Sequence, residues 1–461
     1  MNTTLVLVAL LVFAFAVSRL LHRYAERVAM VSGIEYAVVG ALIGPQAPHG
    51  LVGPEMLEAL DLLITLMLGL LGFMIGLHAR QAMRRFEHFL AGSLSGLIVC
   101  GVVAAACLGL FQWIEPSHLA DPDPLIVVPV FADDSHLYEL WASGEALWLA
   151  LTLGAAACVA STTGIQNAAL RWRAEGPPVT LLHDLAAAGQ VIAVLVFGLA
   201  LAGDRAVIAA GDYGLSIAEW AMVIAVAGGL TGLLFTIFIS GAEDDLRLYV
   251  ASIGVVIFAA GIGDALGVSP LFVNLVAGIT VAATSGHGDR LRANLDQLEH
   301  PTSVLLMVFA GMSWSPVRPL MWLIPAAYLL LRLGTRLWAT RLAVSTFTQG
   351  VEFRRLGPGL LGQGTLAAAI ALSYAQDHPA TGGVVLTAVL VPMLISDLFS
   401  SRSLRWVLAN AGAIRPRTQL HERDDEPEID VTPEHPYRSE AEAEAGPGIQ
   451  PAGVGEQESA P

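Results

Sequence analysis

Charged residues are scarce in this chain of 461 residues, and their scarcity excludes most soluble folds. Asp, Glu, Lys and Arg together make up 14% of the sequence, whereas hydrophobic residues make up 55%. An average soluble domain carries about 25% charged residues. Apolar stretches recur along the chain, and each approaches the roughly 20 residues needed to cross the hydrocarbon of a bilayer. The composition therefore predicts an all-α polytopic membrane protein.

Other deficits narrow the possible functions. Lysine is absent, so all 24 basic residues are arginine, and they form no basic patch that would suggest a nucleic-acid partner. The three cysteines, Cys100, Cys107 and Cys158, lie in apolar stretches without metal-ligand spacing, and we interpret them as small core residues. No nucleophile–base or metal constellation occurs in the predicted loops, which argues against an enzyme. We expect neither a cofactor nor a metal site.

Thirteen apolar stretches are predicted to span the membrane. We place them at roughly 3–22, 31–47, 57–77, 88–112, 145–170, 179–203, 215–240, 246–266, 269–285, 300–314, 319–340, 356–376 and 381–411. The first stretch lacks the positively charged start of a signal peptide, so we interpret it as a span.

The placement of arginines predicts the orientation, because cytoplasmic loops accumulate positive charge. With the N-terminus outside, the outer loops hold only Arg205 and Arg318. Apart from Arg332, the other arginines fall in the inner loops and the tail, among them Arg80, Arg84, Arg85, Arg290, Arg292, Arg336 and Arg341. This alternation predicts an outer N-terminus and a cytoplasmic C-terminus.

Two polar segments lie outside the predicted bilayer pattern and hold much of the acid behind the net charge of −16. Residues 113–144 form a long outer loop rich in Asp and Pro, and residues 413–461 form an acidic tail rich in Pro and Gly. The tail has too little apolar surface for a core and is predicted to be disordered. The membrane domain is therefore predicted to cover residues 1–412.

Two predicted spans carry polar, glycine-rich interruptions. The fifth contains Ser161, Thr162, Thr163 and Gly164; the twelfth contains Gly357-Pro358-Gly359 followed by Gly362-Gln363-Gly364-Thr365. Such backbone is tolerated at membrane depth only beside protein or a wet cavity. Transporter sites lie near the midplane where helices are interrupted in matching repeats. Packing through small residues is the alternative for either span alone, but two breaks seven spans apart favour a crossed pair of broken helices.

Five stretches, taken in order and spacing, resemble the monovalent cation:proton antiporter superfamily. They are SGIEYAVVGALIGPQ (32–46), LGLLGFMIGLH (68–78), ASTTG (160–164), GIGDALGVSPLFVNLVAG (261–278) and GQGT (362–365). The resemblance is greatest to bacterial sodium/proton exchangers and potassium efflux transporters, and it runs from about residue 4 to 410.

The resemblance implies a sodium/proton antiporter fold with two inverted repeats, spans 1–6 and 8–13. A core, about 88–203 and 319–411, would move against a dimerisation domain, about 3–77 and 246–314. The implied partners are a monovalent cation, a proton, the lipid bilayer and a second copy of the chain.

The chain departs from this family where the sixth span normally carries an acidic residue. Here Gln190 occupies the aligned position, and Thr365 stands where relatives often have glutamate. Glutamine can coordinate a cation through its carbonyl oxygen but cannot titrate. We therefore expect ion contacts from Gln190, Gln363 and Thr365, with Ser161, Thr162 and Thr163 from the other break.

Three residues remain as candidates for charge and proton binding. Arg332 is predicted to lie within the eleventh span, where it needs a partner, and matched depth suggests Asp184. His183 could titrate near neutral pH. The alternatives are that Arg332 snorkels inward and that Asp184 and His183 are interfacial residues near a helix start.

Three functions are compatible with this pattern. The first is exchange of Na⁺ or K⁺ for H⁺. The second is a degenerate member that acts as a sensor, regulatory subunit or assembly partner. The third is transport of another solute, such as an anion attracted to Arg332. The absence of an acid at position 190 counts against cation:proton exchange, and the two helix breaks count against the degenerate member.

Overall fold

The computed structural model describes residues 33–47, 52–113, 145–208, 216–239, 245–286, 288–317, 319–348 and 355–414. The helices within them are α1 (Ile34–Ile43), α2 (Pro54–Ala59), α3 (Asp61–Arg84), α4 (Phe86–Trp113), α5 (Glu145–Cys158), α6 (Thr162–Trp172), α7 (Pro177–Ile208), α8 (Ile217–Ile239), α9 (Asp245–Leu266), α10 (Pro270–Thr284), α11 (Gly288–Met312), α12 (Leu323–Phe347), α13 (Thr365–Asp377) and α14 (Pro379–Asn410). Two 3₁₀ turns, Pro319–Trp322 and Gly357–Leu360, precede α12 and α13. The predicted span 3–22, the loop after Trp113 and the tail after Ile414 lie outside the described residues.

Seven of the described segments are long and apolar enough to cross a membrane. They are Asp61–Arg84, Phe86–Phe111, Ala146–Trp172, Pro177–Ala206, Ile217–Ile239, Leu246–Leu266 and Pro379–Asn410. Helices suit this solvent because they satisfy their own backbone hydrogen bonds. The prediction of an all-α, multi-pass membrane protein is confirmed.

Each predicted span from 31–47 to 381–411 has a helical counterpart, but several have different ends, the third, tenth and eleventh most clearly. The third continues to Arg84 instead of ending near residue 77, so Arg80 and Arg84 lie in the helix and not in an inner loop. The tenth begins at Gly288 instead of near 300, because its first turns are amphipathic and bury Leu291 and Leu295. The eleventh continues to Phe347, so the assignment of Arg336 to an inner loop is wrong. Arg336 lies within the helix and is only 2% exposed.

The packing of the helices has the symmetry expected of inverted repeats. Helix α1 packs on α11, α3 packs on α10, α4 packs on α12 and α5 packs on α13. The two repeats would relate each span to the span seven places later, so α1 corresponds to α10, α3 to α11, α4 to α12 and α5 to α13. Exchanging the corresponding helices turns the α1–α11 contact into the α10–α3 contact. The same exchange leaves the α4–α12 and α5–α13 contacts unchanged. The two predicted repeats are therefore equivalent in these four contacts. The three cysteines are buried and free, as expected for core residues.

Helices α1 and α11 touch backbone to backbone through glycines. A Cβ atom on Gly311 would overlap the carbonyl oxygen of Ala37, and one on Gly40 would overlap that of Val308. The symmetry-related pair repeats the arrangement, since a Cβ on Gly72 of α3 would overlap the carbonyl oxygen of Leu271 in α10. Close approach through small residues is the usual way in which membrane helices gain packing energy.

We predict that Gly311→Ala lowers the free energy of unfolding by about 1–3 kcal/mol, the usual cost of overpacking. Gly101→Ala is the matched control, because Gly101 is an exposed residue of α4 and a Cβ atom added to it would have no neighbour within 4 Å. That control should be neutral or slightly stabilising, since alanine favours a helix by about 1 kcal/mol over glycine. Thermal unfolding in detergent measures both variants. Equal melting temperatures for the two would contradict the contact.

Candidate functional site

The two interrupted spans meet at their breaks. Helix α5 ends at Cys158 and α6 begins at Thr162, while residues 361–364 separate the second 3₁₀ turn from α13. The amide nitrogen of Ser161 donates to the carbonyl oxygen of Gly362 at 3.0 Å. Gly364 also lies against Ser161, because a Cβ on Gly364 would be 3.3 Å from the Cα of Ser161. The predicted pair of broken helices that meet is confirmed.

Ser161 has a local role at the first break. Its side-chain oxygen accepts a hydrogen bond from the amide nitrogen of Gly164 at 2.9 Å and so caps the N-terminus of α6. Serine is among the preferred residues at this position because it satisfies a helix amide that has no partner within the helix.

Gln190 of α7 reaches the same break. Its Nε2 donates to the hydroxyl oxygen of Thr162 at 3.2 Å and to the carbonyl oxygen of Ala160 at 3.3 Å. The side chain of Gln190 therefore lies beside the non-helical backbone of the first break, between α5 and α6.

Gln363 lies in the second break and is fully buried. Its Nε2 donates to the hydroxyl oxygen of Tyr328 at 2.7 Å and to the carbonyl oxygen of Ala156 at 3.4 Å. Its Oε1 has no hydrogen-bond partner among the described residues. A buried acceptor without a partner is costly unless a ligand or water binds it. Thr365 follows two residues later and begins α13.

Arg332 of α12 satisfies carbonyl groups from both breaks. Its Nε and Nη2 donate to the carbonyl oxygens of Ala157 and Val159, each at 3.1 Å, and its Nη1 donates to that of Leu361 at 2.8 Å. The last carbonyls of a helix have no partner within the helix and carry its negative end. The guanidinium supplies both the donors and the opposite charge.

Arg336 performs the same task one turn further along α12. Its Nη2 donates to the carbonyl oxygen of Cys158 at 2.8 Å, and its Nε donates to that of Leu360 at 3.4 Å. The sequence reasoning missed this residue because it counted every arginine near a predicted helix end as a loop residue. The spacing from Arg332 was the available signal, since residues four apart share a helix face.

The expected direct ion pair of Arg332 with Asp184 is wrong. The Oδ2 of Asp184 instead accepts from Nη1 of Arg85 at 3.2 Å and lies 2.7 Å from Nδ1 of His88. Each of the three nitrogen atoms of Arg332 donates to a main-chain carbonyl, so the buried guanidinium has partners without a carboxylate in contact.

Asp184 and His183 line a cavity of about 660 Å³. Its walls also include Arg84, Arg85 and Arg292. The Nε2 atom of His183 lies 2.8 Å from Nε2 of Gln166 in α6, which ties the start of α7 to the helix that follows the first break. In the part of the chain that the structure describes, no group of His, Cys, Asp and Glu is arranged to hold a metal ion.

Thr163 makes a contact that the sequence did not suggest. Its hydroxyl donates to Oε1 of Glu299 in α11 at 3.2 Å. The sequence reasoning missed Glu299 because it placed this residue in a loop, one position before the tenth span. No local pattern links residues 136 positions apart, so only the fold brings this carboxylate to the break.

We predict that Arg332→Ala lowers the free energy of unfolding by at least about 3 kcal/mol. The substitution removes the donor from three main-chain carbonyls at the breaks, and each buried polar group left without its partner costs about 1–3 kcal/mol. Arg341→Ala is the control, since Arg341 is exposed on the same helix. Unfolding in detergent measures both. Adding Asp184→Ala should not restore stability, because Asp184 pairs with Arg85 and His88. Rescue by that second substitution would contradict these contacts.

Comparison with solved structures places the fold among known transporters. The chain is similar to the sodium proton antiporter MjNhaP1 from Methanocaldococcus jannaschii at pH 8, with a TM-score of 0.61 and 15% identity, over 89% of this chain and 99% of that one. A second structure of MjNhaP1, from an electron-microscopy map, gives a TM-score of 0.60 and 14% identity over 90% and 99% of the two chains. No family model and no curated protein matches the sequence. The described helices therefore have the fold of a sodium/proton antiporter.

Proposed function

We propose that this protein is a secondary active transporter that exchanges a monovalent cation, Na⁺ or K⁺, for H⁺ across the cytoplasmic membrane. The observation that carries the proposal is the meeting of the two broken helices, with Gln190 bonded to Thr162 at the first break. Interrupted helices at the midplane supply backbone oxygens and helix ends that bind substrate and coupling ions. The similarity to MjNhaP1, which is described as a sodium proton antiporter, supports the same activity.

The cation would bind to oxygen atoms at the crossing. The nearest candidates are the hydroxyl oxygen of Thr162, the carbonyl oxygen of Ala160 and the side-chain oxygens of Gln190 and Gln363. Hard cations prefer such ligands, and several neutral oxygens can replace a hydration shell. Ser161 and Thr365 would hold the two helix starts that frame the site.

The cavity beside Asp184 and His183 would give ions access to the crossing from the cytoplasm. The arginine alternation in the sequence supports this side. Helices α4–α7 and α12–α14 would form the moving core, and α1–α3 with α9–α11 would form the dimerisation domain of a homodimer. The extensive packing of α4 on α12, and of α3 on α10, supports this division.

Exchange in proteoliposomes tests the proposal, with Na⁺, K⁺ and Li⁺ supplied separately across a range of pH. We expect proton movement that depends on one of these cations. Gln190→Leu should abolish it because leucine offers no oxygen. Gln190→Asp should raise it and steepen its pH dependence, because a carboxylate accepts either a proton or a cation. Gln46→Leu is the matched control at an exposed glutamine.

Absence of exchange in the wild type and in Gln190→Asp, with both proteins folded, would contradict the proposal. A sensor or subunit function would then account better for the fold. Movement of an anion in the same assay would instead indicate a transporter of another solute.

A further inference from the structure

We infer that Glu299 supplies the titrating carboxylate of the exchange site, in place of an acid on the sixth span. This inference rests on the proposed function and deepens it. It assigns the proton-binding group to α11, which belongs to the predicted dimerisation domain, whereas Gln190 and Thr162 belong to the predicted core.

The electrostatics of the crossing create the need for such a group. Two arginines lie there, and the N-termini of α6 and α13 add roughly half a positive charge each. The C-terminus of α5 offsets roughly half a charge. A monovalent cation would be repelled from this place unless carboxylates balance the arginines.

Glu299 is positioned to meet that need. Its Oε1 accepts from the hydroxyl of Thr163, and the neighbouring Thr162 accepts from Gln190. One short segment at the start of α6 therefore contacts both the glutamine and the carboxylate. The residue is half-buried, so part of it remains accessible to solvent.

The other acids near the crossing have different tasks. Asp184 is held by Arg85 and His88. Asp397 of α14 is buried, accepts from the hydroxyl of Ser400 and interacts electrostatically with Arg332, so it offsets part of the arginine charge.

The titratable groups next to Glu299 in the sequence, or linked to its neighbours by hydrogen bonds or ion pairs, come from three helices. One of them, Asp296, also pairs with Arg292 of α11 at 3.7 Å. Asp296 and His300 lie on α11 itself, and His78 of α3 pairs with Asp296 at 3.3 Å. On α6, the side facing Glu299 presents Thr163, and Gln166 links that helix to His183 of α7. Among these groups, Glu299 is the one whose side chain hydrogen-bonds to the first turn of α6 in the described contacts.

Under this assignment, the proton and the cation compete for the two carboxylate oxygens of Glu299. The deprotonated carboxylate and the neutral oxygens of the crossing hold the cation. A proton binds a carboxylate oxygen of Glu299, the site loses one negative charge and the cation leaves. One proton therefore replaces one monovalent cation, with no change in the charge of Gln190. Because the carboxylate and the glutamine belong to different predicted domains, the complete ligand set exists only while those domains are aligned.

Binding of radioactive sodium and of rubidium to the purified full-length protein, from acidic to alkaline pH, tests the assignment together with exchange in proteoliposomes. We expect wild-type binding to fall as the pH is lowered. Glu299→Gln should reduce binding at alkaline pH by at least about tenfold, as expected when a unit charge leaves a partly solvated site. Glu58→Gln, at an exposed glutamate of α2, should change neither measurement.

Two further variants separate titration from structural damage. Glu299→Asp should keep binding but move its pH midpoint, because the shorter carboxylate loses the bond to Thr163. Glu299→Gln combined with Gln190→Glu should restore binding that depends on pH, because the carboxylate returns to the same site from the other side. If Glu299→Gln does not fold, the midpoint of Glu299→Asp decides the question.

Folded Glu299→Gln that binds and exchanges like the wild type would overturn the inference and leave the proposed function intact. Wild-type protein that lacks exchange but binds cations through Glu299 would contradict the proposed function and support this assignment. Wild-type protein that binds neither cation at any pH would overturn the assignment as well.

Discussion

A carbonyl group released by a broken helix must find a donor, because hydrocarbon offers none. This constraint governs the centre of the protein. Two breaks at the same place release carbonyls from residues 157–159 and from residues 360 and 361, and two arginines one turn apart on α12 donate to all five. Helix α12 is thereby fixed against both broken spans, and α7 can bring Gln190 to the gap that they leave open.

The same arginines determine what else the crossing needs. They satisfy the main chain but bring two positive charges to a place proposed to bind a cation. Asp397 offsets part of that charge from within the predicted core. The carboxylate that touches the break comes from α11, on the other predicted domain. Position 190 holds glutamine instead of an acid. The acidic contact to the first break therefore joins a helix of one predicted domain to a helix of the other.

Much of the fold can be predicted from the sequence because the hydropathy of a span is the sum of contributions from its individual residues. The stretch predicted at 179–203, for example, corresponds to α7 at Pro177–Ile208. The two breaks were also predictable, because glycine, proline and hydroxyl side chains interrupt otherwise apolar runs. Arg336 was misplaced because the positive-inside pattern does not distinguish a loop arginine from one that donates to buried carbonyls. The pairing of Arg332 with Asp184 failed because matched depth says nothing about the direction in which each side chain points. Glu299 was invisible because its contact with Thr163 exists only after distant helices have packed.

The five arginine bonds end on main-chain oxygens, and every residue type carries such an oxygen. Replacing Ala157, Val159 or Leu361 by another apolar residue of similar size would leave the acceptors in place. The architecture of the crossing is thus tied to two donor positions on α12 and is largely independent of which side chains occupy the acceptor positions. Substitutions at the acceptor positions can therefore accumulate while the crossing keeps its geometry, provided that the two arginines stay in place.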